Sequence, residues 1–276
     1  MLKRKLDPLT LALRVLTRAA AAVTLCAVVF LIGYILVKGV PQLKPSLFAL
    51  KYTSQNVSVM PALFNTLYII VLALPMAVPL GVFSAVYLAE YAKRGNKAVR
   101  AVRLAAETLA GMPSIVYGLF GMLLFRYQLK WGYSLLGGAC TLAVMVLPVI
   151  MRTTEEALLA VPDSYREGSF GLGAGRLRTV FRVVVPSAVP GILAGIILAL
   201  GRIVGETVAL LYTAGSSAKQ ALSPMDSGRT LAVHMYLLST EGLHINETYA
   251  TAVVLLVLVL GINGVSMAAA RKLVKS

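Results

Sequence analysis

Two charged residues stand inside a stretch of the chain that is otherwise almost entirely apolar. Residues 201–210 read GRIVGETVAL, in which Arg202 and Glu206 are the only charges. A charge in hydrocarbon costs roughly 3 kcal/mol on insertion scales, so such residues usually face the interior of a helix bundle or an aqueous path. On a continuous helix, residues four apart share one face. The spacing therefore allows two interpretations, a mutually neutralising pair that locks helix packing or a pair that meets a charged solute.

The chemistry of these side chains favours an oxyanion as that solute. A guanidinium offers a planar fork of donors that matches the oxygens of a phosphate-like anion, which makes Arg202 a candidate for an anion path. Glu206 would repel an anion, and two roles stay open for it. It could hold Arg202 while the path is empty, or accept a proton from a protonated oxyanion. Glu107 is a third path candidate, with an ordinary interfacial carboxylate near Arg103, one turn earlier, as its alternative.

Motifs for catalysis or nucleotide binding are missing. The GLGAG run at 171–175 lacks the third glycine of a dinucleotide loop, and no GK[ST] follows it. HExxH and GxSxG are absent, and Cys26 and Cys140 have no zinc-ligand spacing. His234 and His244 fall in a polar segment and are interpreted as ordinary loop residues. The sequence predicts no catalytic residue, no metal and no cofactor bound by this chain.

The composition indicates the surroundings in which the charged residues act. Of the 276 residues, 58% are hydrophobic and only 13% are charged, whereas soluble domains carry about 25% charged residues. Spanning the hydrocarbon core takes about 20 apolar residues in a helix. Six segments are long enough, which predicts an all-α, polytopic membrane protein with one transmembrane domain over residues 1–276. The predicted spans are 19–37, 63–90, 104–125, 133–151, 188–212 and 250–270.

The basic residues indicate how the chain crosses the membrane. Of the 26 Lys and Arg, 18 fall before span one, after span six or in the two connections on that side, and seven fall on the other side. This asymmetry places both termini in the cytoplasm. It also accounts for the net charge of +15 without nucleic acid as a partner. The run at 19–37 is too long for a cleaved signal segment, so we interpret it as a retained first span.

The cytoplasmic connection at 152–187 is too long and too apolar for a simple tether. Its charges of both signs alternate with apolar residues at helical spacing. Glu167-Gly168-Ser169 is followed after three residues by Gly173 and, nine residues later, by Val183-Val184-Val185-Pro186. This spacing resembles the EAA loop of ABC importer permeases, E-A-A-x3-G-x9-I-x-L-P, with conservative replacements. Gly173 tolerates the positive φ of a sharp turn between two short helices.

The resemblance extends beyond this loop. The stretch VPDSYREGSFGLGAGRLRTVFRVVVPSAVPGILAGIILALGRIVGETVALL is similar to the phosphate-uptake (Pst) permease family, as are VPLGVFSAVYLAEYAKRG and LAAETLAGMPSIVYGLFG. The similarity covers about residues 60–215, and EYA at 90–92 resembles the PstA-type subunit more than the PstC-type subunit. A type I ABC importer permease bundle is the fold that this resemblance implies.

The resemblance also implies partners and residue roles. A PstA-type subunit would pair with a PstC-type permease in the bacterial inner membrane, with a PstB-type ATPase dimer below and a PstS-type periplasmic phosphate-binding protein above. ATP and Mg²⁺ would bind the ATPase, which accounts for the missing nucleotide site. The cytoplasmic loop would dock in a groove on the ATPase. Its predicted coupling residues are Glu167, Gly168, Phe170, Gly173, Arg166 and Arg176, the arginines either pairing with acidic residues of the ATPase or only satisfying the positive-inside bias.

Two other functions remain open at this point. A permease of the same architecture would carry another oxyanion, such as molybdate or sulfate, or an amino acid. A self-sufficient channel or secondary carrier would need no EAA-like loop and would usually show internal repeats, which this sequence lacks.

Overall fold

Helices form all the secondary structure in the part of the chain that the computed structural model describes, residues 8–93 and 95–275. The basic residues Lys3, Arg4, Lys5 and Arg94 of the topology prediction lie outside it. In chain order the helices are α1 (Pro8–Gly39), α2 (Met60–Val86), α3 (Lys97–Ala110), α4 (Ser114–Gly121), α5 (Leu135–Leu159), α6 (Asp163–Gly171), α7 (Arg176–Thr179), α8 (Val185–Gly205), α9 (Val208–Thr213), α10 (Leu231–Glu241) and α11 (Ile245–Lys275). The predicted all-α fold is confirmed.

Wider π-helical turns extend three of these helices. The turn Tyr87–Tyr91 continues α2, Met122–Gln128 continues α4, and Val180–Val184 joins α7 to α8. With these extensions, five helical segments are long and apolar enough to cross a membrane. They are Leu9–Gln42, Met60–Tyr91, Leu135–Leu159, Arg176–Gly205 and Ile245–Lys272. A sixth crossing exists if α3 and the bent continuation Ser114–Gln128 are counted as one span.

The predicted third span, 104–125, is not a single helix. Its two helical parts, α3 and the segment that begins with α4, meet at an angle of 101° across Gly111, Met112 and Pro113. Proline lacks the N–H that a helix needs and disfavours the helical conformation in the residue before it, so this sequence ends α3. α3 itself is amphipathic, as expected of a helix at a membrane surface.

The predicted fifth span, 188–212, is also interrupted. α8 ends at Gly205, Glu206 has an extended backbone with ψ of 128°, and α9 begins at Val208. Glu206 therefore lies within a break between helices, and Arg202 lies in the last turn before it.

The bundle is organised around α2, α5 and α8, which pack against one another. Their shared core includes Ile69, Met145, Ile150 and Ile203, each at most 1% exposed. α2 and α5 approach closely at Gly81, where an added Cβ would lie 2.7 Å from a methyl carbon of Ile150. Small residues at such crossings let membrane helices gain packing contacts that lipid cannot supply.

The segment between α9 and α11 is folded and not a polar loop. Asn65 on α2 holds its first part: the side-chain amide donates to the carbonyls of Lys219 (3.0 Å) and Arg229 (3.2 Å), and the amide oxygen accepts from Ala221 N–H (2.9 Å). The second part is α10, in which His234 is completely buried. The interpretation of His234 as an ordinary loop residue is wrong, because it lies buried on α10, next to a segment that hydrogen bonds from a distant helix hold against the bundle.

Candidate functional site

The break at Glu206 sets the geometry of the predicted anion path. The Glu206 carboxylate accepts a hydrogen bond from the Ala209 N–H at 3.1 Å and so caps the first turn of α9, where a negative charge is favourable. Arg202 and Glu206 do not share a face of one helix, and that prediction is wrong. A local bond from side chain to backbone gives the chain an alternative to the helical bond, and the preceding Gly205 is flexible enough to take it.

Arg202 lies in the last turn of α8 and is partly exposed. Among the described residues, no carboxylate lies within ion-pair distance of its guanidinium. It lines an open cavity of about 510 Å³ whose other walls come from α5, α8 and α11. The remaining lining residues are Val149, Ala194, Ile197, Leu198, Gly201 and Asn263. A guanidinium without a counter-charge in a mostly apolar cavity has hydrogen-bond donors that are available to an anion.

Two glycines of α4 hold the broken element in place. A Cβ at Gly118 would lie 2.9 Å from the Ala209 Cα, and one at Gly121 would lie 2.7 Å from a methyl carbon of Thr213. Both contacts fall on α9, so α9 packs on α4 at nearly backbone distance. The interruption after Gly205 is therefore supported by its neighbours.

Glu107 lies apart from this site. It is exposed on α3 and borders a cavity of about 250 Å³ with Arg103, Arg152, Glu155 and Glu156, among others. Arg103 pairs with Glu155 at 2.6 Å rather than with Glu107. The structure does not bring Glu107 into the cavity that Arg202 lines, and its part in a path stays a prediction.

The predicted coupling loop forms a helical hairpin, α6 and α7, at the opposite end of α2 from Asn65. Gly173 makes the turn with φ of +82°, as its spacing predicts. The hydroxyls of Ser169 and Thr179 bond at 2.8 Å and brace the two arms. The hairpin is thus a preformed element.

A buried carboxylate fastens this hairpin to the bundle. Glu90, 8% exposed, pairs through its Oε1 with Arg166 Nη2 at 2.7 Å, and its Oε2 accepts from Arg166 Nε at 3.4 Å. Arg176 donates to the Glu90 carbonyl and lies over the ring of Tyr91, 5.2 Å from its centre. Hydrogen bonding to Glu90 raises the pKa of Arg166 above its ordinary value. We call Glu90, Arg166 and Arg176 the hairpin clamp.

The clamp gives both predicted coupling arginines contacts within this chain. Arg166 is only 16% exposed and donates to Glu90, to Asp163 and to neighbouring carbonyls. Arg176 contributes to the same contact but is exposed. Pairing of either arginine with acidic residues of an ATPase stays a prediction. Glu90 was missed as a functional residue. Its signal in the sequence is that it is the only carboxylate at the end of span two, in YLAEYAKRG.

The tip of the hairpin presents unsatisfied apolar surface. Phe170 is 47% exposed, Leu172 91% and Leu177 67%. Glu167 is also exposed, and a Cβ at Gly168 would meet no atom within 4 Å. These residues face away from the bundle, as a surface that receives a partner requires.

A second group of buried polar residues lies at the other end of the bundle. His234 packs edge-on against Tyr52, with ring centres 6.1 Å apart, and Arg229 lies over the same ring at 4.5 Å. Burial and the Arg229 charge lower the pKa of His234 to about 3 from 6.5, while the backbone of Val57 opposes the shift. His234 is therefore neutral at physiological pH.

Stability is expected to fall on acidification because of His234. Between pH 6.5 and about 3 the unfolded chain binds a proton that the folded chain does not. The contribution is complete above pH 6.5 and is lost as pH falls, at up to about 1.4 kcal/mol per pH unit. Thermal unfolding of the purified chain in detergent, from neutral to acidic pH, measures this slope. His234→Gln should flatten it and His244→Gln, a partly exposed control, should not; equal slopes in all three proteins would contradict the assignment.

Comparison with known proteins identifies the family. A profile described as "Binding-protein-dependent transport system inner membrane component" matches residues 77–275. The chain is 39% identical over 238 residues to the probable ABC transporter permease protein YqgI of Bacillus subtilis (strain 168), covering 81% of each chain. It is 37% identical over 205 residues to the phosphate transport system permease protein PstA of Mycobacterium leprae (strain TN), covering 73% of this chain and 67% of that protein.

Solved structures agree on the fold. A bacterial ABC transporter involved in the import of the acidic polysaccharide alginate matches with a TM-score of 0.68 at 16% identity, over 93% of this chain and 95% of that one. The inward-facing MetNI methionine ABC transporter matches with a TM-score of 0.58 at 20% identity, over 87% and 96%. The predicted type I ABC importer bundle is confirmed. The chain belongs to the family of binding-protein-dependent transport system inner membrane components and is an ABC transporter permease of the PstA type.

Proposed function

We propose that this chain is a permease subunit of an ATP-driven importer of inorganic phosphate and supplies half of the translocation path. The observation that carries the proposal is the uncompensated Arg202 at the break between α8 and α9, on a cavity between helices. Transporters commonly form substrate sites at interrupted spans. Similarity to the PstA phosphate permeases of mycobacteria supports phosphate as the substrate. Such a permease is a transport subunit and not itself an enzyme.

The hairpin α6–α7 is the proposed contact with the ATPase. Its exposed apolar tip would fill a groove on a PstB-type subunit, which binds ATP and Mg²⁺. The clamp at Glu90 then joins the hairpin to α2, so that closure of the ATPase dimer moves the membrane helices as rigid bodies.

The remaining partners complete a heteromeric transporter. A PstC-type permease would supply the other half of the path, and a PstS-type periplasmic protein would deliver phosphate. The chain would lie in the bacterial inner membrane with both termini in the cytoplasm. The asymmetry of 18 against seven basic residues supports this orientation.

Uptake of radiolabelled phosphate by cells that depend on this chain tests the substrate. Unlabelled phosphate should compete, while sulfate, molybdate and amino acids at the same concentration should not. Equal competition by sulfate or molybdate would instead indicate a permease for another oxyanion.

Docking of the ATPase is tested by a pair of exposed leucines. Leu172, 91% exposed at the hairpin tip, and Leu222, 86% exposed at the opposite end, are matched in exposure. Leu172→Ser, alone or with Glu167→Arg, should abolish co-purification of the ATPase, whereas Leu222→Ser should not. If the Leu172→Ser, Glu167→Arg double variant still retains the ATPase, the hairpin tip is not the contact with the ATPase.

A pair of glycines tests whether the shape of the hairpin matters. Gly173 has φ of +82° and Gly175 has φ of −73°, and a Cβ at either would meet open space. Gly173→Ala should cost about 1–2 kcal/mol of local strain and weaken co-purification of the ATPase severalfold. Gly175→Ala adds the same methyl group at an ordinary φ and should leave co-purification unchanged. Equal behaviour of the two variants would show that the turn geometry is not required.

A further inference from the structure

Arg229 is a buried cation. It is 6% exposed, and its Nη2 has no hydrogen-bond acceptor within residues 8–93 and 95–275. Among the described residues, no carboxylate lies within ion-pair distance, and the nearby Asp226 accepts instead from the N–H groups of Leu222 and Ser223. Burying an unpaired charge is strongly unfavourable. The cation–π contact with the Tyr52 ring offsets only part of this cost.

The same place is the start of α10. Thr230 stands at the N-cap position, but its hydroxyl caps no amide and has no hydrogen-bond partner in the described part of the chain. Two first-turn amides have acceptors, Leu231 N–H on Thr66 Oγ1 and His234 N–H on the Thr230 carbonyl, both at 2.8 Å. The amides between them receive no side-chain cap from the described residues. A buried helix start without caps leaves donors and a positive dipole end that favour an anion.

His234 lies beside these two groups. It is 0% exposed, neither ring nitrogen has a hydrogen bond of ordinary geometry among the described residues, and its polar contact is with the backbone of Val57. Being one turn after Thr230, it lies on the same side of α10. Two adjacent groups, a guanidinium and a hydroxyl, therefore have donors that the described residues leave unused, and a neutral imidazole lies next to them. Buried polar groups in native proteins nearly always have partners, so a cluster of exceptions calls for a ligand.

We propose that Arg229, Thr230 and His234, together with the N-terminus of α10, form a binding site for a tetrahedral oxyanion of the phosphate class. Such an ion offers several strong acceptor oxygens at once and carries the charge that Arg229 lacks. The site is separate from the Arg202 cavity, because it stands beside Asn65, near the start of α2, and its walls include none of the residues that line that cavity.

The connection between α1 and α2 closes the site. Tyr52 covers the guanidinium, and the adjacent Val57, 1% exposed, has φ of +46°. A β-branched residue in the left-handed region is strained. The covering segment is thus held in a conformation with stored strain, and ligand exchange requires Tyr52 to move aside.

Equilibrium binding of radiolabelled inorganic phosphate tests the proposal. The full chain, with the subunits that co-purify and without any soluble phosphate-binding protein, is used in an Arg202→Gln background, so that the path arginine does not contribute. Saturable binding should persist in this background, and Arg229→Gln should weaken it by about 10- to 100-fold. Arg126→Gln is the matched control, because its guanidinium also lies over a tyrosine ring, 4.0 Å from the centre of Tyr133, and it should leave the affinity unchanged.

A milder variant covers the case in which Arg229→Gln fails to fold. Thr230→Val keeps the shape and removes the hydroxyl, so phosphate affinity should fall severalfold while unfolding without phosphate is unchanged. Absence of saturable binding, equal loss in Arg229→Gln and Arg126→Gln, or unchanged affinity in Thr230→Val would overturn the proposal. Displacement of phosphate by equimolar chloride would overturn the oxyanion class. Uptake is not the readout, so failure here leaves the proposed transport function standing.

Discussion

Replacing Glu90 by glutamine is expected to uncouple the cytoplasmic hairpin from the membrane helices. Glu90 is 8% and Arg166 16% exposed, so the change removes the buried counter-charge of a nearly buried guanidinium and leaves it only the exposed carboxylate of Asp163. Breaking such a pair from one side costs about 3–5 kcal/mol. The hairpin tip is untouched by the substitution. We expect the ATPase to co-purify as before, while phosphate uptake falls more than tenfold.

Two controls separate coupling from general damage. Glu156→Gln breaks the pair with Arg152, whose partners are 65% and 64% exposed, and should leave uptake unchanged because exposed pairs contribute little. The double variant Glu90→Gln, Arg166→Met removes the stranded charge as well and should unfold at a higher temperature than Glu90→Gln alone. Normal uptake in the single Glu90 variant would show that the clamp does not transmit motion from the hairpin to the membrane helices.

The position of Arg166 explains why such a large effect is expected. Besides Glu90, it donates to the carbonyls of Leu158 (2.9 Å) and Val161 (2.7 Å), at the end of α5. Orphan carbonyls at a helix end favour a cation. One side chain thus ties together the ends of α2 and α5 and the first arm of the hairpin. A push on the hairpin reaches the two most closely packed helices of the bundle without passing through a flexible link.

The parts of the site that depend on local rules could be predicted from the sequence. The long apolar runs predict the membrane helices, and the spacing around Gly173 predicts the turn of the hairpin, since only glycine takes that φ without strain. The bend at Pro113 also has a local signal in the GMP sequence. The flanking residues are apolar enough to predict one continuous span, and the apolar character of a segment does not show where a helix bends.

The parts that depend on distant contacts could not be predicted. Glu90 and Arg166 are 76 residues apart in sequence, and no local pattern pairs them. His234 lies on α10, and the segment just before this helix is held by hydrogen bonds from Asn65, 154 and more residues away in sequence. The break at Glu206 depends on both local and distant contacts. Its cap on α9 is a local hydrogen bond, and the packing of α9 on α4 supports the same arrangement. Both the Glu90–Arg166 pair and the position of His234 thus depend on contacts between residues far apart in sequence.

Substitution of Arg202 is expected to stop transport without disturbing assembly. Arg202 has no ion-pair partner among the described residues, so its removal strands no carboxylate. Arg202→Gln should lower phosphate uptake by about 10- to 100-fold, the effect of losing hydrogen bonds to a charged group. Arg202→Lys keeps the charge but lacks the planar fork of donors, so its phosphate uptake should lie between that of the unchanged protein and that of Arg202→Gln. Arg126→Gln serves as the control for loss of an arginine elsewhere; uptake as high in Arg202→Gln as in this control would exclude Arg202 from the path.

Two substitutions of Glu206 are needed to separate a role as a helix cap from a role in transport. Its carboxylate caps α9 through the Ala209 N–H, and a glutamine oxygen can accept the same bond, whereas Glu206→Ala loses it at a cost of about 1 kcal/mol. If the cap is its whole role, uptake measured beside unfolding should be near normal in Glu206→Gln and reduced with stability in Glu206→Ala. We expect instead that both variants lose transport and that only Glu206→Ala loses stability. A carboxylate at a helix break, four residues after Arg202, can interact with the substrate's charge or accept its proton, whereas a neutral amide can neither carry the charge nor take up the proton. Normal transport in Glu206→Gln would show that this residue serves only as a helix cap.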